Sequence, residues 1–163
     1  MRSRRGDRPQ QVNGASTSDT KVTKRLATTP ERSFLLSRVR QRGTAPEVVV
    51  RQMLNSLGHA YRVNARGIPG SPDVVAVDNS RVVFVHGCYW HRHNNCPGSS
   101  TPKHNSAFWL AKFAANVRRD RRNTRELRKL GYRIMTVWEC ETKSAVKRPR
   151  LVGRLNRFFR NAR

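Results

Sequence analysis

The stretch RVVFVHGCYWHRHNNC, Arg81 to Cys96, decides the fold class because its character changes halfway along. Arg81 to Val85 is a β-branched and aromatic run too short for a helix, and it reads as a strand. Just upstream, Val74 to Val77 is a second such run. Asp78-Asn79-Ser80 joins the two, so residues 73–86 read as a β-hairpin. From Cys88 to about Ser106 there is no periodicity, only Cys, His, Trp, Asn, Gly, Pro and Ser. Something other than regular secondary structure must hold that segment.

Upstream, Thr44-Ala45-Pro46-Glu47 has the T-x-x-E spacing of a capping box. It opens a helix carrying Val48, Val49, Met53, Leu54 and Leu57, which Gly58 stops. His59 to Val63 is a short strand, and the turn-rich loop Gly67 to Pro72 delivers Asp73 to the mouth of the hairpin. Downstream, Asn105 or Ser106 caps a long helix that runs to Leu130 and ends at Gly131. Tyr132 to Trp138 reads as a buried strand, with Trp138 in the core, and Pro149 to Phe159 as a basic helix carrying Leu151, Leu155, Phe158 and Phe159. The order α, β, β, β, α, β, α predicts an α/β domain with a small mixed sheet between helices.

At 163 residues the chain holds one domain plus tails. Its formal net charge is +24, with about +8 each in residues 1–43, 44–142 and 143–163. So cationic a molecule attracts polyanions over long range, which makes nucleic acid the default partner and a basic structural protein the alternative. No apolar run approaches the roughly 20 residues that span a bilayer, and the basic N-terminus lacks the apolar core of a secretory signal. A cytoplasmic protein is therefore expected. Residues 1–30 have too few large apolar side chains to offset ordering and are expected to form a disordered basic tail.

Four groups of residues carry chemistry. Cys88, His93 and Cys96 have the spacing C-x4-H-x2-C, and Cys140 follows 44 residues later. Three thiols and an imidazole suit tetrahedral Zn²⁺ in a closed structural site, which would pin segment 88–106 to the end of the 132–138 strand. The same residues also fit buried free thiols beside surface histidines. Asp73, at a strand end after a Pro/Gly loop, is a candidate ligand for Mg²⁺, with the Val85 carbonyl as a second oxygen. His86 and His91 follow the partner strand, where they can polarise a water or stabilise a phosphate. The plainer reading makes Pro72-Asp73 a turn and the histidines ordinary polar residues. Glu47 serves the capping box and is also placed for a metal-water contact. Tyr89, Trp90 and Trp109 could stack on bases or simply pack in a core. The arginines at 118–128 could contact phosphates, or form a solvated face paired with Asp120 and Glu126.

Taken together, PGSPDVV (69–75), FVHGCYWHRHNNC (84–96), FWLAKFAANVRRDRRNTRELRKLGY (108–132) and VWEC (137–140) resemble the very-short-patch repair mismatch endonucleases. The match spans roughly residues 31–142 in order, with TAPE at 44–47 in the same pattern. The resemblance implies a restriction-endonuclease-like fold, a central mixed sheet flanked by helices with a structural zinc. It also implies an enzyme that nicks duplex DNA 5′ of the thymine in T:G mismatches left by deamination of 5-methylcytosine. On this pattern Asp73 and the main-chain carbonyl of Val85 bind Mg²⁺, His86, His91 and Glu47 complete the active site, and Cys88, His93, Cys96 and Cys140 bind zinc. Tyr89, Trp90 and Trp109 match the aromatic residues that intercalate beside the mismatch.

Val85 stands where the best-known members have Thr, which removes a hydroxyl but leaves the carbonyl. Residues 1–30 and the basic C-terminal helix of 143–163 lie outside the match, with phosphate contact or solvation as their expected roles. A monomer acting in the cytoplasm near the nucleoid follows, with mismatch-repair accessory proteins as candidate partners. A restriction-type endonuclease cutting matched DNA, and a non-enzymatic zinc-stabilised DNA-binding protein, are the competing readings.

Overall fold

The computed structural model describes residues 42–160. The expected tail over residues 1–30, and the start of the domain at 31, lie outside the described residues. Helix α1 (Ala45–Ser56) is followed by strands β1 (Tyr61–Arg62), β2 (Val74–Ala76) and β3 (Arg81–His86). A 3₁₀ turn at Pro97–Ser99 precedes α2 (Ser106–Lys129), β4 (Arg133–Trp138), α3 (Glu139–Lys143) and α4 (Arg148–Arg160). The strand order is β1-β2-β3-β4, antiparallel for the first two pairings and parallel for β3 with β4. This is the α/β arrangement with a mixed sheet flanked by helices that the element order predicts.

The sheet is buried on both faces, which is why its strands read as near-continuous apolar runs rather than alternating ones. On one face Val74, Ala76, Val83, Met135 and Val137 pack with Val50 and Leu54 of α1 and with Leu151, Leu155 and Phe159 of α4. On the other face Val75 and Val82 pack with Leu127 of α2, flanked by Phe84, Tyr132 and Ile134. Each strand therefore feeds alternate residues to opposite layers. The basic C-terminal helix is part of the same core, through apolar residues spaced four apart. Arg81, itself buried, reinforces that seam by donating to Asp78 Oδ2 and to the Phe159 carbonyl, both at 3.3 Å.

Several expectations shift locally. The strand read over 59–63 shortens to two residues, which pair Tyr61 with Ala76 and Arg62 with Val75. Asn105 precedes α2 with φ 54° and makes no side-chain capping bond, so its contribution there is the left-handed backbone that Asn tolerates. The short helix α3 continues directly from β4 and was not legible as a separate element. Gly131, at φ 84°, ends α2 where the Tyr132 N–H turns back to the Leu127 carbonyl at 3.0 Å. That turn starts β4 parallel to β3, with His86 opposite Trp138.

Candidate active site and metal centre

The parallel pair β3/β4 ends where β2 begins, and the chemistry-bearing residues collect at that end of the sheet. Asp73 leads into β2: its N–H donates to the Val83 carbonyl at 3.0 Å, and its Oδ2 accepts the Val85 N–H at 2.6 Å. The carboxylate is thus fixed against β3 beside His86. The Val85 side chain packs against the core, so only its main-chain groups serve the site. Burial pushes the Asp73 carboxyl up from the usual carboxylate range to about 6; the Val85 N–H works against this, the nearby Glu47 charge adds to it, and Arg51 and His91 oppose it. A half-buried carboxylate with a second negative charge nearby is an environment that a divalent cation suits.

Glu47 is buried and heavily committed. Its Oε2 accepts from Gly43 N at 2.8 Å and Arg51 Nη2 at 2.7 Å, and its Oε1 from Thr44 Oγ1 at 2.7 Å and Thr44 N at 3.3 Å. The capping role read from the sequence is present, and the carboxylate reaches Asp73 through its field.

His86 and His91 lie face to face, ring centroids 3.9 Å apart and 11° from parallel. The turn between them is closed by the His91 N–H on the Gly87 carbonyl at 3.1 Å. His91 Nδ1 sits 2.6 Å from Asp120 Oδ2 on α2. The imidazole therefore turns Nδ1 to the carboxylate and leaves Nε2 facing away from it. Burial lowers His86 to about 4, with the His91 charge acting the same way and Asp120 opposing, so His86 is neutral at ordinary pH. Burial alone would raise Asp120, but the His91 hydrogen bond and charge outweigh it and hold the carboxyl low. One ligand atom from each of His86, His91 and Asp120 lies within 4.8 Å of the others. Asp120 is the member of this cluster that the sequence does not single out, since its partner is 29 residues away and its arginine neighbours suggest a solvated face.

The thiol cluster also assembles. Ligand atoms of Cys88, His93, Cys96 and Cys140 all lie within 4.8 Å of one another. His93 Nδ1 is 3.6 Å from Cys88 Sγ and 3.4 Å from Cys140 Sγ. Those separations fit the edge of a metal tetrahedron, which is about 3.5 Å for one sulfur and one imidazole nitrogen on zinc. The loop is shaped for it: Arg92 and Asn95 adopt φ of 55° and 52°, the His93 N–H donates to the Cys88 carbonyl, and Ser99 Oγ lies 2.8 Å from the carbonyls of both His93 and Cys96. Burial pushes the Cys88 thiol up to about 12 and raises Cys140 as well, while the Gly98 N–H lowers Cys96. Three sulfurs and one imidazole nitrogen form a soft donor set that can hold Zn²⁺ or a similar ion.

Tyr89 and Trp90 are half-buried in an aromatic cluster, with Tyr89 edge-on to Trp90 at 5.0 Å and to Phe113 at 4.9 Å. Lys112 lies 5.4 Å over the Trp90 ring and Arg92 4.6 Å over Phe113. Trp109 is only 3% exposed, packed 5.8 Å from Tyr89 and 5.9 Å from Phe113, so here it backs the cluster rather than presenting a face. Arg118, Arg121, Arg122 and Arg125 lie along α2, and all four are exposed. Among the described residues no helix is long and apolar enough to cross a membrane.

Against known proteins, residues 25–97 match the family model described as DNA mismatch endonuclease Vsr. The chain is 43% identical over 138 residues, 84% of its length, to the type II nicking enzyme V.NmeAIP of Neisseria meningitidis serogroup A, covering 97% of that protein. It is 40% identical to the type II nicking enzyme V.XorIIP of Xanthomonas oryzae pv. oryzae over 74% of this chain and 87% of the relative. To the DNA mismatch endonuclease Vsr of Escherichia coli K12 it is 39% identical, over 71% of this chain and 74% of the relative. With these relatives matched across most of their length, the chain belongs to the Vsr family of DNA endonucleases.

Proposed function

We propose that this endonuclease nicks one strand of duplex DNA on the 5′ side of the thymine in a T:G mismatch, using Mg²⁺ at Asp73 and the Val85 carbonyl, on a scaffold held by Zn²⁺ at Cys88, His93, Cys96 and Cys140. The reading rests on Asp73, clamped on the Val85 N–H next in sequence to His86 and within reach of the His91 charge, beside a His86–His91 stack that Asp120 anchors.

Asp73 and the Val85 carbonyl would hold Mg²⁺, which when bound would supply Lewis acidity toward the phosphate and the attacking water. Asp120 Oδ2 accepts the hydrogen bond of the His91 Nδ1–H and so aims Nε2 at the attacking water, from which the imidazole takes the proton. The new P–O bond forms as the P–O3′ bond breaks, leaving a 3′-hydroxyl and a 5′-phosphate. His86, neutral and stacked on His91, offers an uncharged N–H to a phosphate oxygen. Glu47 adds negative charge beside Asp73 and fixes the start of α1.

Charge provides affinity without sequence preference, so recognition of the mismatch falls to Tyr89 and Trp90 as a wedge, with Trp109 completing it from behind. The arginines of α2 supply phosphate contacts. The relatives' description as nicking enzymes favours single-strand cleavage over a restriction-type double cut. Incubating T:G and T:A duplexes of one sequence with Mg²⁺ tests the reading. It expects a nick confined to the thymine strand of the T:G duplex; equal cleavage of both duplexes, or none of either, would refute it.

A further inference from the structure

His86 is held in an unusual way. Among the described residues its imidazole has no side-chain hydrogen bond: the Asp120 carboxylate lies nearby, within 4.8 Å, and three rings pack against it. His91 stacks on it at 3.9 Å, Phe84 lies tilted at 5.8 Å, and Trp138 meets it edge to face at 5.5 Å and 72°.

Trp138 is only half-buried, contrary to the core position its sequence context predicts. Its other ring contact is with His93: centroids 4.2 Å apart, planes 9° from parallel. His93 Nδ1 in turn faces the sulfurs of Cys88 and Cys140. A continuous row of four rings, His93, Trp138, His86 and His91, thus links the thiol cluster to the Asp120 carboxylate. The backbone repeats the link, since Trp138 pairs with His86 across β3/β4 and the following residue, Glu139, accepts the Cys88 N–H at 3.3 Å.

We propose that Trp138 is a positioning residue for phosphodiester cleavage: it transmits the rigidity of the thiol cluster to His86 and keeps that imidazole stacked on His91. The proposal rests on the reading in which His86 acts on the scissile phosphate. A ring with no hydrogen bond to hold it, packed by van der Waals and quadrupole contacts, swings when one neighbour is lost, and small misplacements of an active-site group are costly in rate.

The test compares Trp138→Leu and Trp138→Phe with wild type, each refolded with Co²⁺ as a probe of the thiol cluster. In Trp138→Leu the cobalt absorption bands are retained, the single-turnover nicking rate falls by about 30-fold or more, and duplex affinity changes by less than about threefold. Trp138→Phe keeps a ring on His93 but covers His86 less well, and is about fivefold slower than wild type. Independently of any nicking, in samples refolded with diamagnetic Zn²⁺ instead of Co²⁺, the His86 ring signals in NMR spectra are broader in both variants than in wild type, while those of His59 are not. Should Trp138→Leu fail to bind cobalt, Trp138→Phe decides alone. A wild-type rate in a cobalt-loaded variant, or a sharp His86 signal in its diamagnetic zinc-loaded form, overturns the proposal, as does a rate loss that simply tracks lost cobalt. If wild type does not nick a T:G duplex, the functional reading fails, and the His86 signal still decides the positioning role.

Discussion

The Val85 N–H donates to Asp73 Oδ2 at 2.6 Å, so one side chain of β2 is locked to the main chain of β3 beside the stacked histidines. The burial that surrounds that lock has a cost, which the Val85 N–H only partly offsets. Burial holds the carboxyl near 6, above its ordinary 3.8, and the charged form is therefore disfavoured in the folded protein. The native state binds the extra proton between about pH 4 and 6, so this group's contribution to stability falls as pH rises through that window and stays low above it.

Asp73→Asn is expected to stabilise the metal-free protein by up to about 3 kcal/mol above pH 7, because a carboxyl held at about 6 instead of 3.8 has its charged form disfavoured by roughly 1.36 kcal/mol for every tenfold drop in acidity. The amide oxygen still accepts the Val85 N–H. Thermal melts at pH 4 and pH 7.5 check this: the variant's Tm gain should be near zero at the lower pH and roughly 5–10 °C at the higher. An equal gain at both would contradict the electrostatic origin.

Asp120→Asn should leave folding and DNA affinity largely intact but let His91 adopt the wrong tautomer. The expected outcome is a single-turnover rate lower by about 10²-fold or more, with the DNA dissociation constant within about threefold of wild type. Rate and binding measured on one T:G duplex separate the two.

Chelating the ion at the thiol cluster, or replacing Cys96 with Ser, should release segment 88–106 while the α1/α4 side of the sheet keeps its apolar core. Protease nicking within that segment and a Tm lower by roughly 10 °C are expected. An unchanged melt would show that the sulfurs hold no structural ion.

Trp90→Ala and Trp109→Ala should part company. Trp90, half-buried, is expected to lose at least about tenfold in T:G nicking with less than about threefold in general duplex affinity. Trp109 is 3% exposed, so its truncation should also cost about 3–5 kcal/mol of stability, visible in the melt of the free protein.

What was legible in the sequence was local. The hairpin, the capping box at Thr44 and Glu47, and the spacing of Cys88, His93 and Cys96 are all set by contacts within a few residues. Apolar runs in Val74–Ala76 and Arg81–His86 announced a sheet covered on both faces. What stayed hidden depends on tertiary placement. Asp120 reads as one charge among many until α2 brings it to His91, and Trp138 reads as core until the β3/β4 register sets it between His86 and His93. Trp109 shows the reverse, since no spacing rule reveals that the first turn of α2 packs inward on Tyr89 and Phe113.

The most direct measurement is single-turnover nicking of a T:G duplex across a Mg²⁺ titration, wild type beside Asp73→Asn. Wild type should show a rate that saturates with Mg²⁺, and the variant, folded and still bound to the duplex, no nicking above the metal-free background at any concentration. A variant that reaches the wild-type rate at high Mg²⁺ would show that the carboxylate on the Val85 N–H is not where the reaction's cation is held.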